Sequence, residues 1–250
     1  MLRVRRHRDL TILDQPDGTS WVIACDSVGA IGPKPADAYP ADARTVAHFA
    51  TRVPLVEVLA VGASPQVIVD TLCVELDPTG MEMIEEVRML AAGLGLGPER
   101  VTGSTEDNVP TAATGIGVTV IARIATERLR SGQARAGDRV LCLGRPTSAP
   151  ADRIEIGDPR MISLATLAAV RDAEGVADVL PVGSKGVGHE AAELARSNSL
   201  IWEPADDNFD MGHSGGPASC VLVAVQPDAV GALLELLPSD LPRAEVGFLA

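Results

Sequence analysis

Lysine is almost missing from this 250-residue chain: of 21 basic residues only Lys34 and Lys185 are not arginine. Aromatics are scarce as well. Trp21, Tyr39, Phe49, Trp202, Phe209 and Phe248 are the whole set, too few for the stacking platforms that hold single-stranded nucleic acid. The 34 acidic residues outnumber the basic ones and leave a net charge of -13, whereas a phosphate backbone demands a basic face. Neither nucleic acid nor an anionic membrane is therefore an expected partner. No apolar run approaches the roughly 18 residues of a membrane span. The basic start, Leu2-Arg-Val-Arg-Arg-His-Arg8, runs into polar residues where a signal peptide needs an apolar stretch. A cytoplasmic location is the expectation.

Paired cysteines are absent too. Cys25, Cys73, Cys142 and Cys220 lie far apart beside apolar residues, which predicts buried, reduced thiols. With His7, His48, His189 and His213 also scattered, a zinc site has no support. The chain has no Gly-x-x-x-x-Gly-Lys-Ser/Thr loop, no Gly-x-Ser-x-Gly elbow and no His-Glu-x-x-His, so those nucleotide-binding and hydrolase classes are not indicated. Gly93-Leu-Gly-Leu-Gly97 lacks a preceding strand and reads as a helix stop.

What is present suffices for a sizeable core, since 46% of the residues are apolar. The patterning predicts an α+β protein of two domains, 1–132 and 137–250, divided where Ser131-Gly132 to Gly137-Asp138 precedes a fresh strand. In the first half, strands are expected at 10–13, 21–25, 66–76 and 116–124, with helices at 41–61 and about 80–94. Residues 27–40 and 103–110 read as loops. In the second half, strands are expected at 139–143, 177–180 and 218–225, and helices at 161–173, 189–197 and 227–237.

Chemistry then has to come from carboxylates, lysines and glycine-rich loops. Asp26 follows an apolar strand, Asp70 lies inside another, Glu57 sits on an apolar helical stretch, and Asp9 precedes a candidate strand. Glu106 and Asp107 occupy the 103–110 loop. Apolar surroundings disfavour an unpaired charge, so each wants a partner: either an arginine, or a Mg²⁺ shared with nucleotide phosphates. Lys34 and Lys185 both stand in Gly/Pro-rich turns, where a compact ammonium can act on phosphate as a point charge. Chance survival of a lysine in a loop is the competing account. Gly183-Ser-Lys-Gly-Val-Gly188 runs into a helix and offers amides to an anion, and Gly212-His-Ser-Gly-Gly-Pro-Ala-Ser219 allows close backbone approach. Either loop also reads as ordinary turn chemistry.

The order of these motifs resembles a known superfamily. Ala24-Cys-Asp-Ser-Val-Gly29, Val58-Leu-Ala-Val-Gly-Ala-Ser-Pro65, Val67-Ile-Val-Asp70, Thr102-Gly-Ser-Thr-Glu-Asp-Asn-Val-Pro110, Thr114-Gly-Ile-Gly-Val-Thr-Val-Ile121 and Gly137-Asp-Arg-Val-Leu141 carry the resemblance. The superfamily is that of aminoimidazole ribonucleotide synthetase, thiamine-monophosphate kinase and selenophosphate synthetase. Within it, Pro181-Val-Gly-Ser-Lys-Gly186 and Ser214-Gly-Gly-Pro-Ala-Ser219 look most like the α-ribazole kinases of cobamide salvage.

The resemblance implies a homodimer whose N-terminal domains pair strands into a shared β-barrel, with a C-terminal α/β sandwich. It implies ATP in a cleft and Mg²⁺ on Asp9, Asp26, Glu57, Asp70 and Glu106. Lys34, Gly62, Gly103, Ser104, Thr105, Gly183 and Gly186 would contact the nucleotide. Lys185 would steady the transferring phosphate, Lys34 would close over it on a mobile 29–40 loop, and His213 or Asp107 would serve as base. Two positions depart from the pattern: Glu57 stands where most members have Asp, and Thr105 where they have Asp or Glu. The implied activity is phosphorylation of the 5′-hydroxyl of α-ribazole. A thiamine-monophosphate kinase-like enzyme and a nucleotide-binding regulator without turnover are the alternatives.

Overall fold

A computed structural model describes residues 2–205 and 209–250. The strands, in chain order, are β1 (Arg3–His7), β2 (Leu10–Asp14), β3 (Thr19–Gly29), β4 (Ile31–Gly32) and β5 (Tyr39–Pro40), followed by helix α1 (Ala43–Ala60) and β6 (Ser64–Leu72). Helix α2 (Met81–Gly93), β7 (Val101–Ser104), β8 (Gly115–Ala125) and β9 (Arg139–Leu143) come next. The chain ends with α3 (Leu164–Asp172), β10 (Val176–Pro181), α4 (Val187–Ser197), β11 (Trp202–Pro204), β12 (Val221–Val225), α5 (Val230–Glu235) and β13 (Arg243–Leu249). The fold is a mixed α+β one, as the patterning predicted.

Two compact units emerge. The first comprises Met1–Arg5, Leu10–Val58 and Ser64–Ile124; the second comprises Arg6–Asp9, Leu59–Ala63 and Ala125–Ala250. The first unit is built on a six-stranded sheet of order β1-β2-β3-β8-β6-β7. Period-two patterning explains it: Ser20, Val22 and Ala24 of β3 alternate with half-exposed Trp21 and Ile23, and β8 repeats the pattern with Ile116, Val118, Val120 and Ala122. Antiparallel register pairs Ile68 with Val120, Asp70 with Val118 and Leu72 with Ile116, so these side chains share the buried face.

Helix α1 starts where the Asp42 carboxylate accepts the Thr45 N–H at 2.7 Å, and it runs on through Pro54. It is tied to α2 through the fully buried Glu86, which takes His48 Nδ1 at 2.8 Å and Arg44 at 3.3 Å. Helix α2 ends at Gly93, where the sequence placed a stop.

The second unit carries a five-stranded sheet of order β10-β12-β9-β13-β11. The core beneath it is aliphatic, with Val140, Leu180, Leu194, Leu222 and Val246 among its members. A deeply buried ion pair joins Arg8 to Asp178, whose side chains are 5% and 0% exposed. Asp178 also accepts the Gly132 N–H at 3.2 Å and Asn198 Nδ2 at 2.8 Å.

Two expectations about cysteine need correction. Cys142 and Cys220 are buried, but Cys25 and Cys73 are exposed. Cys25 alternates with Ala24 onto the outer face of the sheet, and Cys73 stands just past the end of β6. No helix among the described residues is long and apolar enough to cross a membrane.

Candidate functional site

The first unit holds a cavity of about 330 Å³ between α2 and the strands β6 and β7. Leu76, Ile84 and Val101 give it apolar walls, and Asp70, Arg88, Ser104 and Thr105 give it polar ones. Asp70 is only 3% exposed, directly after the apolar run Val67-Ile-Val69 of its strand. Burial pushes its carboxyl up to about 6, although the Arg88 charge pulls the other way. Directly across the parallel pair of β6 and β7 stands Gly103. A Cβ there would collide with the Asp70 carbonyl and with its Oδ1. Glycine thus leaves the edge strand bare where the carboxylate leans over it, and exposes backbone to anything bound there.

Asp26 is a second acid of this sheet, half-buried. Its position in β3 has the parity of Ser20, Val22 and Ala24, so it lies on the same face as Asp70. Strand β8 runs between them, which sets their backbones roughly 10 Å apart at about 4.8 Å per strand. Burial pushes the Asp26 carboxyl up as well, and only the Ser27 N–H opposes it. Among the described residues neither Asp26 nor Asp70 has an ion-pair partner.

The remaining expected residues are placed as follows. Asp9 is exposed in the turn between β1 and β2 and belongs to the second unit. Glu57 is half-buried on α1. Glu106 accepts the Asn108 N–H at 2.8 Å. Asp107 accepts Leu76 N–H at 3.0 Å and Thr105 Oγ1 at 2.7 Å, contacts that hold its carboxyl below the usual range and occupy the proposed base. Gly62 makes a left-handed turn (φ +88°) after α1. No group of three His, Cys, Asp or Glu side chains among the described residues is placed to hold a metal ion, so the five-carboxylate set is not assembled. Asp26 and Asp70 fit a narrower role, because Mg²⁺ uses one or two carboxylates and fills its other positions with phosphate and water.

Loop 29–40 is not the loose flap expected. Asp37 accepts the Thr114 N–H and Oγ1, both at 2.7 Å, and the Lys34 N–H at 2.8 Å, while Ala36 N–H donates to Ala112 O at 2.9 Å. Lys34 Nζ is paired with Glu75, a residue that sequence reasoning missed because its partner lies 41 positions away.

In the second unit, the 183–188 loop does lead into α4, but its amides are spent. Gly186 N–H donates to Gly183 O at 3.3 Å, Gly188 N–H to Met211 O at 2.8 Å, and Gly183 N–H to the Glu190 carboxylate. A carboxylate already sits where the sequence suggested an anion, which removes the expected amide cradle of Gly183 and Gly186. Lys185 is exposed on this loop. His213 Nε2 meets Asp152 Oδ2 at 2.6 Å, and the same oxygen accepts Ser148 N–H at 2.9 Å.

Comparison with solved structures decides the fold. The chain superposes on a thiamine-monophosphate kinase from Stenotrophomonas maltophilia K279a with a TM-score of 0.68, covering 99% of this chain and 88% of that one at 15% identity. The chain has the fold of that kinase. An Aquifex aeolicus thiamine-monophosphate kinase gives a TM-score of 0.67 at 14% identity, covering 98% of this chain and 89% of that one. Thermotoga maritima PurL, solved with ATP, gives 0.69 at 18% identity, and there the match covers 95% of this chain but 41% of PurL. No protein-family model matches the sequence, and no curated protein matches it.

Proposed function

We propose that this protein is a Mg-ATP-dependent kinase that phosphorylates the 5′-hydroxyl of a nucleoside-like alcohol, with α-ribazole the acceptor and cobamide salvage the setting. One observation carries the reading: Asp26 and Asp70 are two desolvated carboxylates on one sheet face that form no ion pair among the described residues, and Asp70 borders a cavity, shared with Arg88, beside the bare backbone of Gly103. Burying such charges is unfavourable unless a ligand compensates them. Support also comes from the shared fold, since PurL has been solved with ATP and an Aquifex kinase with AMPPCP and TMP.

Asp26 and Asp70 are the residues that would hold Mg²⁺, which when bound neutralises phosphate charge during transfer. Ser104 offers a hydroxyl donor and Arg88 a guanidinium to the same cavity, whereas the Thr105 hydroxyl is held by Asp107. Catalysis here is positioning and charge stabilisation, which asks for rigid elements such as β6 and α2. The likeness to thiamine-monophosphate kinases favours a second acceptor, thiamine monophosphate. ADP release with Mg-ATP, measured without acceptor, with α-ribazole and with thiamine monophosphate, separates the readings. Release with α-ribazole alone, with one phosphate gained by mass, is the expected result; ATP binding without release in any arm leaves the regulator without turnover.

The outer face of the first sheet supports the homodimer. Leu13, Trp21, Ile23, Val67, Val69 and Ile121 are half-buried there in matched register, an apolar surface no helix of the unit's buried face requires. Sedimentation at micromolar concentration should give a dimer, and Val69→Arg should give a folded monomer. A monomeric wild-type protein would remove the shared barrel from the proposal.

A further inference from the structure

Glu75 joins three segments through one carboxylate. Oε1 accepts Thr79 Oγ1 at 2.6 Å, from the turn at Leu76–Gly80; Oε2 accepts Thr111 Oγ1 at 3.3 Å, from the loop before β8. Lys34, from the 29–40 loop, places its ammonium on the same Oε2. Lys34 and Thr79 hold the Glu75 carboxyl down at about 2, so it is fully charged. The Lys34 side chain is 15% exposed and its charge is neutralised where it stands. The next residue after Glu75, Leu76, lines the Asp70 cavity, as does Thr105, whose hydroxyl is tied to Asp107.

The choice of lysine is informative. Among the described residues every other basic partner of a close carboxylate pair is arginine or histidine, as in Arg5–Asp14, Arg8–Asp178, Arg160–Asp158, Arg139–Glu245 and His48–Glu86. A guanidinium fork fixes a pair in one geometry. An ammonium on a four-carbon stem is a point charge that can turn to another acceptor.

We propose that Glu75 is a latch on Lys34: it neutralises the ammonium and straps down the 29–40 loop until a polyphosphate anion in the neighbouring cavity takes the lysine from it. The inference rests on the reading that this cavity receives phosphates. Once Lys34 leaves, the Glu75 carboxylate keeps two hydroxyl donors, so release leaves neither of its oxygens without a hydrogen bond.

Two measurements on the full chain test it. Without ligand, Glu75→Gln should speed amide hydrogen exchange about tenfold at Ala36 and Thr114, whose N–H groups bond within this strap, and leave β8 unchanged. With inorganic tripolyphosphate as probe, Glu75→Gln should bind about tenfold tighter than wild type, and the double variant with Lys34→Gln should lose that gain. Lys34→Gln alone loosens the same loop but binds the probe more weakly, which covers a poorly folding Glu75 variant. Unchanged exchange in folded Glu75→Gln, or unchanged or weaker probe binding in it, overturns the latch. Faster exchange with no tripolyphosphate binding by any form, wild type included, overturns the phosphate reading and with it the release step, leaving only a strap.

Discussion

Asp70→Asn should abolish ATP turnover and at the same time make the protein more stable at neutral pH. The carboxyl titrates near 6 in the folded chain against an ordinary value of 3.8, so the folded state holds its proton more tightly than the unfolded one. Stability from this group is then fully present below the unfolded value and is lost as pH rises from about 4 to about 6. Above that it is gone, at a cost of about 3 kcal/mol for a shift of roughly two units. Asparagine has the same shape and no charge, and the missing side chain at Gly103 leaves room for its amide. Urea unfolding from pH 4 to 8 should show the variant ahead of wild type by up to about 3 kcal/mol at pH 7, with the two converging near pH 4. A variant that is less stable at pH 7 contradicts the desolvated carboxylate, and one that still turns over ATP contradicts the proposed role with Mg²⁺. Such a trade is expected of a site residue, since a charge kept for a ligand is a burden without it.

The second large effect should come from Arg8, 170 positions along the chain from its partner Asp178. Arg8 NH2 meets Asp178 Oδ2 at 2.7 Å and NH1 meets Oδ1 at 3.1 Å, with the carboxylate wholly buried. Arg8→Met removes the cation and leaves that carboxylate with only the Gly132 and Asn198 donors. Breaking one side of a buried pair costs about 3–5 kcal/mol. At about 2–4 °C per kcal/mol for a chain of this size, the melting temperature should fall by roughly 6–20 °C. In an Asp178→Asn background the same substitution should cost far less, because no charge is stranded. Equal costs in the two backgrounds would show that the ion pair is not what holds this segment.

These two residues bear on how far the sequence could be read. Strands with unbroken alternation or β-branched runs, such as β8 and β9, were legible nearly to the residue. Strand β6 was displaced, predicted at 66–76 and observed at Ser64–Leu72, because the turn at Leu76–Gly80 interrupts an apolar pattern that looked continuous. Strands β1 and β13 escaped notice. Arg3–His7 is mostly basic, and Arg243–Leu249 opens on charged residues, so neither has the composition of a strand. Yet β13 lies inside the second sheet, paired with β9 on one side and β11 on the other. Partner strands supplied what local propensity lacked.

The site was legible as a list of residue types rather than as an arrangement. Asp26 and Asp70 stood out because charge inside an apolar strand demands a partner, and period-two geometry alone puts each on a definite face. Glu75, Glu86 and Asp152 carried no such signal, since their partners Lys34, His48 and His213 lie 41, 38 and 61 positions away. The amides of the 183–188 loop looked available because sequence does not reveal that Glu190 and Met211 consume two of them.

Val67-Ile-Val-Asp70 and Val176-Ala-Asp178-Val make the contrast plain. Each sets one aspartate in an apolar strand, and composition, hydropathy and periodicity treat them alike. By itself the sequence determined that each of these segments would be an apolar strand interrupted by one acid. Only the tertiary structure decided their fates: it brings Arg8 from 170 residues away onto Asp178 and leaves Asp70 beside an open cavity. The reason is range. Burial is set by the residues on either side, whereas compensation of a buried charge is set by whichever distant segment the fold delivers to it.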